Sequence, residues 1–559
     1  MKTNYTTTRF YVMLLLAIAT STTTKAQVIE HLNTNNVNAG IGIGGNLFTH
    51  FDWIAWSVDS IPMFKNFESP KGSGISSVFT AALWMSGIDS SFGVPHCAAQ
   101  RFMQVGRDYF DGPIAATYDS LYDNFYHRVF KVTRTQIDMH RTNTFPIHAT
   151  RIDNALLYWP ARGNQYVSAD YGVNITAPLA PFTDVDGDQM YNPANGDYPD
   201  ICGDEAIFFV FNDVREGFHY ETGTPNVFGF EIRGMAEVYI DNDTSHGVYE
   251  KRALNNTVFI RYEIENKSQE TYNDFYLGMF EDIDLGCFSN DRVGSDTIRS
   301  LMFAYNEGFD TDCIGVSGYG SNKVAHGLKF LNQPMSAYIY FTNGAMASQT
   351  DPASASQYRS YLQGFWNDGT PFTYGGKGYN TGSPTKFMFS GDPNNPSEWS
   401  EISGGMQAGD RRVMGSLGPT TFAAGAIHHF DMAFTNSYDS TSTNLQIVDT
   451  LKRDADIIQA FYNNNIVGCG NQMSVGINEK PSDQWGVALY PNPASDKLFI
   501  KTDNGFVQQV TIYNAIGSLI SQTDMTLSNY ADVSSLPRGV YIAEIKMKQA
   551  TVKKRWVKM

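Results

Sequence analysis

Short runs rich in aromatic and β-branched residues recur along this 559-residue chain, each closed by a cluster of Gly, Asn, Asp or Pro. They include Ser77–Trp84, Ala206–Phe211, Val227–Tyr239, Thr257–Glu265, Tyr272–Phe280, Leu301–Tyr305, Met335–Tyr340 and His428–Phe434. Side chains stiff at χ1 pack well on a pleated surface, and turn formers at both ends bound each run to strand length. A succession of such runs predicts a mainly β chain with a large antiparallel β-sandwich-like body. Two segments read as helices. Leu445–Asn463 places Leu445, Val448, Leu451, Ile457, Ile458 and Phe461 on one apolar face, and Ser354–Leu362 is a shorter candidate. With 14% aromatic residues the composition is that of a folded chain.

The last 75 residues repeat the β pattern on a smaller scale. Lys497–Lys501, Val507–Tyr513 and Tyr541–Lys548 alternate apolar with polar residues, and Asp503-Asn504-Gly505, Asn514–Gly517 and Pro537-Arg538-Gly539 are turn signals. About seven short strands at this spacing suit a small C-terminal immunoglobulin-like β-sandwich. The segment also carries ordered motifs: Leu489-Tyr490-Pro491-Asn492-Pro493-Ala494, Lys497-Leu498-Phe499-Ile500, Val510-Thr511-Ile512-Tyr513-Asn514, Leu536-Pro537-Arg538-Gly539-Val540-Tyr541 and a basic end from Lys553 to Lys558. On these motifs it resembles the type A C-terminal sorting domain of the type IX (Por) secretion system of Bacteroidota. The resemblance implies engagement of the type IX secretion machinery and passage across the outer membrane. It also implies loss of the domain and either release of the remainder or its attachment to the cell surface.

The body has a resemblance of its own, carried by Asn35-Asn36-Val37, Pro70-Lys71-Gly72-Ser73-Gly74, Ala82–Gly87, Ala98–Phe102, Trp366–Pro371 and Gly409-Asp410-Arg411-Arg412. It resembles a group of large secreted Bacteroidota proteins that share this tail and whose activity is uncharacterised. That likeness implies no mechanism.

Export also fits the N-terminus. Lys2 and Arg9 precede the apolar run Tyr11–Ala19, and small or polar residues lead to Thr24-Lys25-Ala26, the layout of a signal peptide cleaved before Gln27. The resulting plan is a signal peptide at 1–26, an acidic β-rich body at 27–470 with a possible subdivision near 181–200, a linker at 471–482 and the sorting domain at 483–559. No later segment approaches the apolar length of a transmembrane helix, and no Cys follows the cleavage point to take a lipid anchor. The expected location is outside the cell or on its outer surface, after export to the periplasm. Residues 27–482 hold 28 Lys+Arg against 51 Asp+Glu, a net charge of −23. Such a surface repels nucleic acid and anionic headgroups and favours cations.

Of the five cysteines, Cys287 and Cys313 are close enough in sequence to pair in an oxidising compartment, and most of the others read as isolated buried thiols. One must stay unpaired within the monomer. No His–Cys spacing suggests zinc.

The clearest chemical signal is Asp184-Val185-Asp186-Gly187-Asp188, continuing through Asn192 to Asp197. Acids at alternate loop positions with a Gly between them can turn their oxygens onto one hard cation. Asp184, Asp186, Asp188, Asn192 and Asp197 are therefore the candidate Ca2+ ligands. Gln189 stands where related loops have Gly, and no Glu closes the loop, so the pattern fits a short calcium-stabilised loop. The other reading is a solvated acidic turn. A second, weaker candidate set is Asp282, Asp284, Asp291 and Asp296, at the end of a predicted strand; calcium and ordinary turn caps are both open there.

Catalytic signatures are sparse. Gly40–Gly45 satisfies Gly-x-Gly-x-x-Gly but is followed by no helix, so it reads as a glycine-rich β turn. His428-His429 lies in a strand, where neighbouring side chains point to opposite faces and cannot chelate one ion. Asp204, Glu205, Asp213 and Glu231 lie near aromatic strands that could line a sugar groove. The preferred expectation is a secreted or surface-attached, non-catalytic, calcium-stabilised binding, adhesin-like or structural protein with an extracellular glycan or protein ligand. The alternative is a secreted polysaccharide-acting hydrolase.

Overall fold

The computed structural model describes residues 28–49, 67–102, 107–313, 316–343, 347–467, 469, 487–490, 494–502, 507–514, 519–525, 530–547 and 551–558. The expected signal peptide at 1–26 and the expected linker at 471–482 lie outside them. The chain forms two compact units, Met1–Met473 and Ser474–Met559.

In the first unit, two antiparallel nine-stranded sheets share one core. The first sheet runs Ile29–Leu32, Asn38–Gly42, Asn46–Leu47, Thr80–Asp89, Tyr272–Ile283, Arg411–Phe422, Ala337–Phe341, with Phe67–Glu68 and Pro95–Ala98 paired alongside. The second runs Asp291–Asp296, Leu301–Asn306, Val324–Phe330, Ile427–Tyr438, Thr257–Asn266, Phe230–Val238, Glu205–Asn212, Phe110–Asp111, with Phe130–Thr133 added to Glu205–Asn212. The expected antiparallel β-sandwich-like body is thus present.

Ring contacts join the two inner faces, such as Phe230 of the second sheet against Phe422 of the first at 4.8 Å. One polar bridge crosses the core: His326 Nε2 lies 2.6 Å from Glu281 Oε1, and both side chains are buried.

The strongest strand runs are apolar on both faces, and the packing explains why. In Glu205–Asn212, the alternate residues Ile207, Phe209 and Phe211 enter the central core, while Ala206, Phe208 and Val210 enter a second cluster on the outside. Along Leu301–Asn306, Met302 and Ala304 point inward, and Leu301, Phe303 and Tyr305 meet the helix Ile447–Phe461. A sheet covered on both sides loses the apolar-in, polar-out alternation.

The two expected helices appear as Ala355–Leu362 and Ile447–Phe461, the latter continuing into a π turn at Tyr462–Ile466. The outer layer over Glu205–Asn212 corrects the expectation of only two helices. It contains Ser120–Tyr126, Arg134–Arg141, Asn154–Leu157 and Gln165–Tyr171, and Val248–Asn255 is a further helix elsewhere. Each is too short for an apolar period to register. Their caps were the available signal: Asp119, the Thr133/Gln136 capping box, Asp153 and Asn164 each accept backbone N–H groups at a helix start. Residues 181–200, where the sequence suggested a subdivision, contain the two-stranded ribbon of Phe182–Thr183 and Tyr198–Pro199.

Four of the five cysteines are paired, which corrects the reading of mostly isolated thiols. Cys287 joins Cys313, as proximity allowed, and Cys202 joins Cys469 across 267 residues. Only the fold could reveal the second bridge, because it fastens the end of the body to the outer layer. Cys97 is free and buried.

In the second unit, Ala488–Tyr490, Lys497–Lys501 and Tyr530–Asp532 form one sheet, and Leu519–Asp524, Val507–Asn514, Gly539–Met547 and Thr551–Lys558 another. Leu498, Val510, Ile512, Ala543, Ile545 and Trp556 are buried in one core. Two small antiparallel sheets around one core are the sandwich that the alternation implied.

Candidate metal centre

Among the described residues, two groups of acids meet closely enough to hold an ion. In the first, the ligand atoms of Asp184, Asp186 and Asp188 lie within 4.8 Å of one another, on a loop with Asp184 half-buried and the other two exposed. The loop is shaped by its own backbone. Asp184 accepts the Gly187 N–H at 2.7 Å and the Gln189 N–H at 2.8 Å, and Asp188 accepts the Met190 N–H at 2.7 Å. Gly187 and Gln189 have positive φ, 80° and 65°, so Gln189 adopts the left-handed conformation that favours Gly at its position.

The structure gives Asn192 and Asp197 a different use. Asn192 Oδ1 accepts the Ala194 N–H, capping the turn Pro193–Asn195. Buried Asp197 accepts the N–H groups of Val185 and Asn192, both at 2.8 Å, tying the two ends of the loop together. Burial pushes the Asp197 carboxyl up to about 6, and the charges of Asp184 and Asp186 add to the rise.

The second group is built by strand register. Asp282 on Tyr272–Ile283 pairs with Arg412 on Arg411–Phe422, and Ile283 pairs with Arg411. The ladder ends there, and Asp284 follows Ile283 just as Asp410 precedes Arg411. Ligand atoms of Asp282, Asp284 and Asp410 lie within 4.8 Å of one another. Like charges this close repel, and of the three Asp282 is buried while Asp284 and Asp410 are half-buried.

Asp282 is 4% exposed, with one oxygen 3.3 Å from Arg412 and the other, Oδ1, buried without a hydrogen-bond partner. Arg412 is also divided between Asp410 at 3.4 Å and Asp351 at 3.5 Å. One guanidinium therefore serves three carboxylates. Burial raises the Asp282 carboxyl far above the ordinary range; burial and then Asp410 push Asp284 up to about 7.

Asp291 lies behind this group. Its Oδ2 accepts the Leu285 N–H at 3.2 Å, Oδ1 is buried without a partner, and burial followed by the Asp284 charge raises its carboxyl. Asp296 is at the other end of the strand Asp291–Asp296, held 2.8 Å from Arg299 and capping the Ile298 and Arg299 N–H groups. The structure thus brings Asp282 and Asp284 together, gives Asp296 to a turn and adds Asp410. The signal for Asp410 was the Gly409–Arg412 motif, whose partner strand was not legible.

The carboxylates considered for hydrolysis are engaged in holding the fold. Glu205 lies 2.7 Å from Lys131 and accepts the Asn33 and Thr34 N–H groups. Glu231 lies 2.8 Å from Lys267 and 3.0 Å from Arg233. Asp213 accepts three consecutive N–H groups, Phe228 to Phe230, and Asp204 accepts that of Ile240. Gly40–Gly45 forms a strand and a tight turn leading into another strand. His428 packs on Phe422 at 4.2 Å while His429 is half-exposed near Glu263, so the pair divides between two faces.

Among the described residues no helix is long and apolar enough to cross a membrane. No curated protein matches the chain. Among solved structures it is similar to a polysaccharide lyase, at 8% identity and a TM-score of 0.19, over 68% of this chain and 39% of that one. The chain thus spans about two fifths of that protein's length, and so loose an overlap carries no argument. Residues 488–559 match the secretion system C-terminal sorting domain family, on the two-sheet unit whose strands carry the ordered motifs. That domain marks the chain as a type IX-secreted protein.

Proposed function

We propose that the body is a non-catalytic extracellular protein with a binding, adhesin-like or structural role, delivered by its sorting domain and braced by Ca2+. An N-terminal leader would first take it to the periplasm. The observation that carries the metal reading is the approach of Asp284 and Asp410 to a buried, half-partnered Asp282. Hard carboxylate oxygens at this spacing suit Ca2+, and a divalent ion removes the repulsion that one shared Arg412 leaves uncorrected. The loop of Asp184, Asp186 and Asp188 offers the same chemistry nearer to solvent. A body of net charge −23 gains most from cations where its acids are least hydrated.

The non-catalytic part rests on the occupation of Asp204, Glu205, Asp213 and Glu231 by structural partners. Thermal unfolding of the full chain in Ca2+ and in chelator tests the metal reading. Ca2+ should raise the midpoint, and an equal midpoint in both buffers removes the ion from the account.

A further inference from the structure

A groove of about 870 Å3 opens on the same body, lined by none of the residues of either acidic centre. Its volume falls within the roughly 300–1,000 Å3 of sites that enclose small ligands. Lys71, Lys251 and Arg252 line it, and no carboxylate does. On a body of net charge −23, that is a local reversal of sign. Arg252 is held by Asp454 at 3.0 Å, whereas Lys71 Nζ donates to the neutral Asn33 carbonyl at 2.5 Å, and neither Lys71 nor Lys251 has an ion-pair partner among the described residues. Two ammonium groups are therefore left to meet a ligand's negative charge.

Amides stand between them. Asn36 Nδ2 donates to Asn256 Oδ1 at 2.7 Å, and Asn255 Oδ1 accepts the Asp241 N–H at 3.0 Å. These bonds orient the amides and leave the Asn36 carbonyl and the Asn255 NH2 group for another molecule. A side-chain amide carries donor and acceptor side by side, the pattern that adjacent sugar hydroxyls complement. The groove also takes in the last turn of the helix Val248–Asn255, where carbonyls and not N–H groups end the helix. That terminus opposes the dense charge of a phosphate, and its carbonyls are already taken, Arg252 and Leu254 by the Asn256 N–H, Ala253 by Thr257 Oγ1 and Asn255 by the Asn36 N–H.

We infer that this groove binds an acidic polysaccharide, with uronate carboxylates on Lys71 and Lys251 and ring hydroxyls on Asn36 and Asn255. The inference rests on the extracellular binding role proposed above and names its ligand class and site.

Titration calorimetry of the full chain with tetragalacturonate, alongside maltotetraose and inorganic sulfate, tests it. Tetragalacturonate should bind, weaken with added salt, and lose at least tenfold in affinity in the double variant Lys71→Glu/Lys251→Glu. The neutral tetrasaccharide and sulfate should bind far more weakly. Equal affinity of variant and parent, or of maltotetraose and tetragalacturonate, overturns the site, and sulfate binding as tightly as the uronate reduces it to a simple anion site. Should the charge-reversed variant fold poorly by its melting curve, Lys71→Gln/Lys251→Gln carries the same comparison. Binding is read in both Ca2+ and chelator, so a failed metal reading and a failed groove give different results.

Discussion

The loop of Asp184, Asp186 and Asp188 and the strand pair of Asp282, Asp284 and Asp410 each gather three carboxylates within the same 4.8 Å, but the two are in different electrostatic positions. In the loop, each acid already accepts a backbone N–H, and water screens what repulsion is left. In the strand pair, the ends of two paired strands bring Asp284 and Asp410 up to a buried Asp282, and a single guanidinium is shared among Asp282, Asp410 and Asp351. Acidic spacing in the sequence looks better in the loop. The buried, half-partnered carboxyl is in the sheet.

Removing the one positive charge is the hardest test of that contrast. Arg412→Gln should destabilise the protein in chelator by about 3–5 kcal/mol, because it leaves the buried Asp282 carboxyl with no counter-charge. Ca2+ should recover part of the loss in urea unfolding. If the variant is as stable as its parent in chelator, the strand pair is no more strained than the loop.

Asp282→Asn should act in the opposite sense, sparing the protein in chelator but abolishing its gain from Ca2+. That gain is about 2.7 kcal/mol at a hundredfold excess over the dissociation constant, and melting with and without Ca2+ measures it. A retained gain moves the ion to another site.

A third buried charge shows what a complete local partner does. His219 has both ring nitrogens on carbonyl acceptors, Cys97 O at 2.7 Å and Asp213 O at 2.9 Å, and the Asp213 carboxylate lies 3.3 Å away. Burial favours the neutral ring, yet the Asp213 hydrogen bond and charge prevail and push His219 up to about 9. A raised histidine gives stability that is complete below its ordinary 6.5 and lost as pH rises through about 9. Asp213→Asn should cost roughly 2 kcal/mol at pH 6 and flatten the decline between pH 6.5 and 9 in urea unfolding. An unchanged slope would mean that the ring is not held charged.

The smallest effect belongs to the loop. Asp184→Asn should change stability by less than about 1 kcal/mol in chelator, as befits an exposed, screened cluster. A loss as large as that of Arg412→Gln would reverse the ranking of the two regions.

Much of the architecture was legible because local chemistry carried it. Alternation from Lys497 to Lys548 marked the small sandwich, and the 3.6-residue spacing around Val448 and Leu451 marked the long helix. The helices between Ser120 and Tyr171 escaped notice because one or two turns show no period, although their caps were in plain view. Within the candidate site, Asp184, Asp186 and Asp188 could be found because one loop holds them all. Asp410 could not, since it stands more than a hundred residues from Asp284 and meets it only through pairing.

By itself, then, the sequence determined what short-range chemistry can write: the β character, the acidic excess, the terminal sorting domain and which acids lie close together along the chain. Tertiary structure decided which of those acids are stranded away from water, which cysteines meet and where an acid-free groove opens. Desolvation and strand register are the physical reason, because both depend on neighbours that lie close in space and far apart along the chain.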